Sequence, residues 1–359
     1  MCGTVGMFVG CSALFYCPRQ LLSRTAPDPG AAPGDDGPEA GAAQEDPPAY
    51  RSSFRSWYER ASVRSAPRRL VRMDADQDAG QPQRFFSPDL VPVARHPLVR
   101  ALPPEVFDEI LVQHLYRYLD FTAKLEYLVV NRTVLGIAHG SVGVDIPEEM
   151  RLDAYKMYCD EAYHALFSAD LAAQVRRATG LAPRLPGEPF FLRRLQAILG
   201  ELPAGRRPLA ELLFVIVSET LISASLAELP QRDGVVHAVS STIRDHAADE
   251  GRHHAYFAHF LRRLWAQLDP AGREFAGRLV PRLMDAFLRP DLDALRQELA
   301  GYGLGRDTAE QIVTEVYTPE VLGAHARATS AQTRRYFVQL GAFDSAAAQD
   351  ELAAYGLRD

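Results

Sequence analysis

The sequence predicts an all-α protein with a four-helix-bundle core, additional C-terminal helices and a disordered N-terminal extension. Beyond Leu102, long stretches without proline carry apolar residues at three- and four-residue spacing, which is the pattern of amphipathic helices. No stretch of any length alternates apolar and polar residues in the manner of a β-strand. Residues 25–50 are dense in Pro, Gly, Ala and acidic residues, a composition that cannot build a packed core.

Composition divides the chain into three parts. Residues 1–50 are predicted to be a disordered tail. Residues 51–100 are basic and interrupted by prolines, and we interpret them as an arm that packs on the core, with a short helix near 53–62. Residues 101–359 are predicted to form the helical-bundle domain.

Four long helices are expected in that domain, and prolines and glycines mark most of their ends. The first follows a Pro-Pro pair, and the second has acidic residues in its first turn, both of which favour a helix start. The four predicted ranges are 104–138, 147–180, 208–229 and 235–268. Shorter helices are predicted at 190–199, 272–288, 291–301, 306–316, 319–340 and 345–355.

Charge and cysteine content exclude several classes of protein. The formal net charge is −7 and no long Lys/Arg block is present, which argues against nucleic acid or an anionic membrane as a partner. The longest uncharged run, Met1 to Pro18, is too short and too rich in glycine to span a bilayer, and it makes a poor secretory signal. The four cysteines show no metal-binding spacing, so a cytoplasmic location is expected; Cys159 is predicted to be a packed thiol.

Acidic residues and histidines recur on the four long helices at helical spacing. Residues three or four positions apart share one face of a helix, so Glu161 and His164 can bind one ion together, as can Glu250 and His253. His246 lies four residues before Glu250 and shares its face. One Glu from each of two helices and Glu-x-x-His from each of two others is the arrangement of di-iron and di-manganese carboxylate proteins.

Isolated glutamates on the first and third helices complete this pattern. Glu219 follows six apolar residues and Glu126 lies among apolar neighbours, where an ionised carboxylate is costly unless it is paired or bound to metal. The alternative is an exposed acid on an otherwise buried helix. A single Glu-x-x-His could arise by chance, but two of them, each preceded by Asp, are a more specific signal.

Three further residues are candidates for supporting the ligands. Metal-bound imidazoles usually donate their second N–H to a carboxylate, so we expect Asp160 and Asp249 each to orient a histidine on the facing helix. The alternative is that both are solvated acids. Arg252 is expected to pair with the buried acidic residues, although it could instead bind a benzoate-like substrate.

These motifs resemble the p-aminobenzoate N-oxygenase family of ferritin-like non-haem di-iron proteins. The resemblance runs from about Leu102 to Leu268, and the feature that separates this family from most di-iron enzymes is the extra histidine, here His246. The resemblance implies seven metal ligands: Glu126, Glu161, His164, Glu219, His246, Glu250 and His253. The first hundred residues have no recognised counterpart in this family.

The resemblance also implies an activity and its partners. A primary aromatic amine, free or bound to a carrier protein, would be oxidised to a hydroxylamine, nitroso or nitro compound in an antibiotic or other secondary-metabolite pathway. The reaction would use two iron ions, for which manganese is an alternative, with O₂ as co-substrate and an external donor of the ferredoxin or reductase type. A homodimer is implied by the same analogy.

The sequence leaves open two alternative functions and the role of three tyrosines. The same di-iron core could support C-hydroxylation or desaturation, and a non-enzymatic iron-binding bundle is a further alternative. Tyr118, Tyr127 and Tyr163 lie near the candidate ligands and could line a substrate pocket, although aromatic residues more often serve as core packing.

Overall fold

The computed structural model describes residues 50–72, 83–226 and 234–358. Within these ranges the backbone is built from helices joined by turns, and its one extended pairing is an isolated β-bridge between Arg84 and Val235. The all-α prediction is confirmed. The predicted tail, residues 1–50, lies outside the described residues except for Tyr50.

Residues 50–72, which include the start of the predicted arm, contain two single-turn helices, α1 (Trp57–Arg60) and α2 (Ser62–Ser65). This segment is called the N-terminal arm below. The sequence predicted one helix here, but Ala61 is extended, with φ −62° and ψ 139°, and it separates the two turns. Phe54, Trp57 and Ala61 are buried. From residue 83 onward the chain makes two 3₁₀ turns, at Pro88–Leu90 and Pro92–Arg95, before α3 (Pro97–Arg100).

Four long helical segments form the core. The first consists of α4 (Pro104–Leu125), a π-helical turn (Glu126–Val130) and α5 (Asn131–Ala138). The second is α6 (Glu148–Thr179), which ends at Gly180 in the left-handed conformation that glycine favours at helix ends. After α7 (Phe190–Glu201) come α8 (Arg207–Leu226) and α9 (His237–Gln267). Helices α4 and α5 pack along α6, α8 packs along α9, and α6 contacts α9 between the two pairs.

Helix α8 is the central helix of the bundle. Its residues Leu212 to Val217 are all buried, on every side of the helix. A helix that is apolar all round is stable only when it is surrounded by other elements, and α8 is contacted by α9, by α5 and by helices from the C-terminal part.

The C-terminal helices pack on the outside of this core. They are α10 (Pro270–Leu288), α11 (Leu292–Leu299), α12 (Arg306–Val316), α13 (Pro319–Gln339) and α14 (Ala346–Ala354). Helices α10 and α13 pack against α8, and α14 packs against α10. Thr333 of α13 donates a hydrogen bond to Thr220 of α8 at 3.0 Å. No helix in the described ranges is long and apolar enough to cross a membrane.

Most predicted helix limits agree with the structure to within three residues. The predicted third helix, 208–229, extends beyond the described part of α8. The prediction for Cys159 was wrong: its side chain is exposed, because it lies on the outward face of α6 next to the buried Asp160.

Candidate metal centre

Each of the four core segments carries carboxylate or imidazole side chains, and these side chains meet in the interior of the bundle. Glu126 lies where α4 passes into the π-helical turn, Glu161 and His164 lie on α6, and Glu219 lies on α8. Helix α9 contributes three residues on one face. Each of these side chains is at most 2% exposed: Glu126, Glu161, His164, Glu219, His246, Glu250 and His253.

The donor atoms fall into two overlapping groups that could each hold a metal ion. The first group contains Glu126, His164, His246 and Glu250, and the second contains Glu161, His164, Glu250 and His253; within a group the ligand atoms lie within 4.8 Å of one another. Glu219 belongs to neither group, but its Oε2 lies 3.8 Å from His253 Nδ1.

The carboxylate of Glu161 spans the two histidines of the Glu-x-x-His motifs. Its Oε2 lies 3.3 Å from His164 Nδ1, and its Oε1 lies 2.9 Å from His253 Nδ1. Glu250 Oε1 lies 3.6 Å from His164 Nδ1 and 3.1 Å from His253 Nδ1. Both carboxylates therefore lie between the two imidazoles.

His246 faces the same interior point from one turn earlier on α9. Its Nε2 lies 3.1 Å from Glu126 Oε1 and 3.3 Å from Glu250 Oε1. Its ring centroid lies 4.5 Å from that of His164. The structure thus brings the extra histidine into the cluster with the other six side chains.

Two aspartates hold the outer nitrogens of the histidines. His164 Nε2 lies 3.0 Å from Asp249 Oδ2 on α9, and His253 Nε2 lies 3.2 Å from Asp160 Oδ2 on α6. Each aspartate therefore contacts a histidine of the opposite helix, and both carboxylates are fully buried. Arg252 pairs closely with Asp249 and lies 4.0 Å from Asp160.

Burial and neighbouring charges shift the pKa values of the side chains in the cluster. Burial raises the pKa of Glu126 to about 7, and it raises the pKa of Glu219 well above its ordinary value. Burial also disfavours the ionised form of Glu250, but the adjacent His253 holds the pKa of that carboxyl well below its usual range. Burial lowers the pKa of His253, yet Glu250 and Glu161 together raise it well above its ordinary value.

The residues present fit a pair of divalent metal ions. Two buried carboxylate oxygens, Oε2 of Glu126 and Oε2 of Glu219, make no hydrogen bond within the described part of the chain. Such buried atoms are costly to leave unpaired, and a cation among them would pair them. Four ionised glutamates would also balance the charge of two divalent ions.

The three candidate tyrosines have different surroundings. The hydroxyl of Tyr118 is buried, and burial together with the charge of Glu126 raises its pKa. Tyr127 is 49% exposed, so the structure does not bring it to the buried cluster. Tyr163 lines a cavity of about 240 Å³ that lies between the arm, α6 and α9.

This cavity ends close to the cluster. Phe167, in its wall, has its ring centroid 5.3 Å from that of His164 and 5.8 Å from that of His246. Arg68 and Arg69 also line it, and each pairs with an aspartate of the same wall, Asp170 or Asp245. The ring of Phe167 therefore lies beside both the cavity and two of the candidate ligands.

The N-terminal arm contacts both aspartates, which the sequence pattern did not predict. Trp57 Nε1 donates to both carboxylate oxygens of Asp160, at 2.8 and 2.9 Å. The backbone N–H of Ser62 donates to Asp249 at 3.2 and 3.3 Å, and the ring of Phe54 stacks on His253 at 5.8 Å. The available signal was a group of four aromatic residues, Tyr50, Phe54, Trp57 and Tyr58, in a segment rich in Arg and Ser.

Comparison with known proteins relates this chain to one family and to a curated relative. The family model described as p-aminobenzoate N-oxygenase AurF matches residues 51–341. A curated 4-aminobenzoate N-oxygenase of Streptomyces thioluteus is 29% identical over 268 residues, which cover 73% of this chain and 77% of that protein. The matched family range includes the buried cluster and the arm from residue 51.

Proposed function

The chain belongs to the p-aminobenzoate N-oxygenase family, and from this premise we propose that it is a non-haem di-iron, O₂-dependent N-oxygenase of a primary aromatic amine. The product would be the hydroxylamine, nitroso or nitro compound. The observation that carries the proposal is the buried cluster of four glutamates and three histidines on four core helices. Carboxylate and imidazole donors suit iron or manganese better than a thiolate set would.

The proposed ligand set follows from the distances in the cluster. We assign Glu126, His164 and His246 to one ion, and Glu219 and His253 to the other. Glu161 and Glu250 lie between the two Glu-x-x-His imidazoles and would contact both ions. Asp160, Asp249 and Arg252 would hold the outer side of the histidines.

The reaction needs electrons that the chain itself does not supply. In the first oxidation, O₂, two electrons and two protons convert the amine to the hydroxylamine and water; one oxygen atom bonds to nitrogen and the other becomes water. Bound reduced iron would activate O₂, and an external ferredoxin or reductase would restore the electrons. The chain's own part is to bury the cluster among apolar helices, so that bulk water stays away from the reacting nitrogen.

The amine would approach through the cavity beside α6. This space is lined by Phe167, which neighbours the proposed ligands His164 and His246, and Tyr163 and Phe167 give it aromatic walls that suit an aryl ring. The charged residues of its wall are already paired, Arg68 with Asp170 and Arg69 with Asp245.

His246 is the residue that we expect to direct oxidation to nitrogen. A neutral imidazole adds electron density to a metal without adding negative charge. Replacement of His246 by Ala is expected to abolish amine oxidation and to lower iron content. His254→Ala is the matched control, because the neighbouring ring of His254 instead contacts the Tyr336 hydroxyl at 2.7 Å. Two irons per chain and full amine oxidation in His246→Ala would show that the proposed role is wrong.

The decisive experiment is purification with iron, followed by mass spectrometry of reactions with a panel of aryl amines, O₂ and a chemical reductant. The proposal expects about two irons per chain and products that gain oxygen on nitrogen. Products hydroxylated or desaturated at carbon would instead identify a C-oxidising enzyme. Uptake of many irons per chain without amine oxidation would identify a storage protein.

A further inference from the structure

The N-terminal arm makes hydrogen bonds to both aspartates that hold the metal-facing histidines. We propose that residues 50–72 are a positioning element of the metal centre, in which Trp57 acts on His253 through Asp160, and the Ser62 backbone acts on His164 through Asp249. This inference rests on the proposed function, since it requires that the two histidines bind metal.

The Trp57 branch consists of two consecutive contacts. The indole N–H of Trp57 is held between the two oxygens of Asp160, at 2.8 and 2.9 Å, and Asp160 Oδ2 lies 3.2 Å from His253 Nε2. Asp160 is fully buried, so solvent cannot replace a lost donor. A carboxylate fixed by the indole presents one oxygen to the imidazole, which sets the rotation of the ring and keeps Nδ1 toward the cluster.

The Ser62 branch has the same form but a different donor. The backbone N–H of Ser62 lies 3.2 and 3.3 Å from the two oxygens of Asp249, whose Oδ2 lies 3.0 Å from His164 Nε2. Asp249 also pairs with Arg252, whereas Arg252 lies 4.0 Å from Asp160. Because Asp160 has the weaker contact with Arg252, the Trp57 branch is expected to matter more.

Packing of the arm supports both branches. The ring of Phe54 is fully buried and lies nearly parallel to that of His253, with an interplanar angle of 17°. Tyr50 donates to Asp153 of α6 at 2.7 Å, which anchors the start of the arm without contacting either aspartate. Tyr50 therefore provides a matched comparison for Trp57: each donates one side-chain group to a buried aspartate of α6.

The first pair of variants is Trp57→Phe and Tyr50→Phe, each of which removes one donor and keeps an aromatic ring. The second pair is Ser62→Pro and Ser62→Ala. Proline removes the N–H of Ser62 but suits the first position of α2, and the extended Ala61 before it tolerates a following proline. Alanine removes only the hydroxyl, which bonds to the Asp245 carbonyl.

Three measurements are made on the full chain loaded anaerobically with ⁵⁷Fe²⁺: iron release to a chelator, the Mössbauer spectrum, and the melting temperature after iron removal. Outer contacts of a metal ligand typically change affinity by about 10–100-fold, so Trp57→Phe should release iron about tenfold faster. Ser62→Pro should show a smaller increase. Tyr50→Phe and Ser62→Ala should stay within about twofold of the wild type.

The Mössbauer spectrum separates positioning from a general loosening of the fold. Because the proposed ligand set places His253 on one ion and His164 on the other, Trp57→Phe should alter the signal of the iron that His253 would hold, and Ser62→Pro that of the other iron. Equal release rates in Trp57→Phe and Tyr50→Phe, or release at the wild-type rate in both Trp57→Phe and Ser62→Pro, would overturn the proposal. A wild-type protein that binds two irons but oxidises no amine would refute the proposed function alone.

Discussion

At the scale of a single residue, Glu219 is expected to favour metal binding but to destabilise the metal-free chain. It lies on the most apolar helix of the core and is 2% exposed, and its Oε2 makes no hydrogen bond within the described residues. Burial and repulsion from Glu250 and Glu161 raise its pKa, which means that its charged form is disfavoured in the folded, metal-free chain. A divalent ion would remove that penalty.

Replacement of Glu219 by Gln should therefore have opposite effects on the metal-free and iron-loaded protein. At pH 8 the free energy of unfolding of the metal-free variant should rise by about 1–3 kcal/mol, because a poorly paired buried acid is removed. Iron should then stabilise the variant less than it stabilises the wild type. Urea denaturation with and without iron measures both quantities.

The control for this substitution is Glu211→Gln, which changes an exposed acid on the same helix. It should alter the free energy of unfolding by no more than about 0.5 kcal/mol in either state. A metal-free Glu219→Gln protein that is less stable than the wild type would contradict the argument from burial.

Residues of the cluster could be selected from sequence because helical spacing is a local property. Glu161 with His164, and Glu250 with His253, indicate a shared face from three-residue separations alone. Trp57 could not be selected in this way, since it contacts Asp160 from 103 residues away. Such a contact depends on the path of the arm, for which a single sequence contains no periodic signal.

At the scale of elements, the main departure from the sequence prediction lies at Glu126. The predicted continuous helix contains a π-helical turn, in which the N–H of Asn131 bonds to the Glu126 carbonyl. Leu125, Glu126, Val129 and Val130 are all buried at this turn. Apolar periodicity predicts that a helix continues, but a π turn arises from packing against neighbours and is frequent at functional sites.

The close approach of α10 to the turn after α13 is another element-scale feature that the sequence pattern does not reveal. Gly277 of α10 is buried, and a Cβ placed on it would lie 2.0 Å from the backbone oxygen of Ala342. A side chain could yield to such an overlap, whereas a backbone carbonyl can move only with its whole turn. The glycine therefore sets how closely this turn packs on α10.

Gly277→Ala should lower the free energy of unfolding by about 2–3 kcal/mol, because the added methyl group overpacks the contact. Gly200→Ala is the control: Gly200 is also helical, but a Cβ added to it would meet nothing within 4 Å, so alanine should raise stability by up to about 1 kcal/mol. Thermal and urea unfolding of both variants give the comparison. Equal effects of the two substitutions would mean that the turn after α13 moves freely.

At the scale of the whole molecule, the arm joins the two helices that carry most of the candidate ligands. It is fixed at its start by the hydrogen bond from Tyr50 to Asp153 of α6. It is fixed near its end by Arg69, which pairs with Asp245 of α9, and by Gln174 of α6, which bonds to the arm backbone. Between these anchors the arm covers the outer side of the two aspartates, so it contributes to folding and to the centre together.

Two truncations separate these contributions. Removal of residues 1–49 leaves every arm contact described above in place, so the iron content should match that of the full chain. Removal of residues 1–72 exposes the surfaces that Phe54 and Trp57 cover; loss of a buried aromatic costs about 3–5 kcal/mol, so stability should fall by at least that amount. The iron content of this shorter chain, measured well below its melting temperature, should also fall, because Asp160 and Asp249 lose donors.

A synthetic peptide of residues 50–72 should restore iron binding to the shorter chain, and a Trp57→Phe peptide should restore it less. Iron binding by the shorter chain at full-length affinity without peptide would show that the arm serves stability alone.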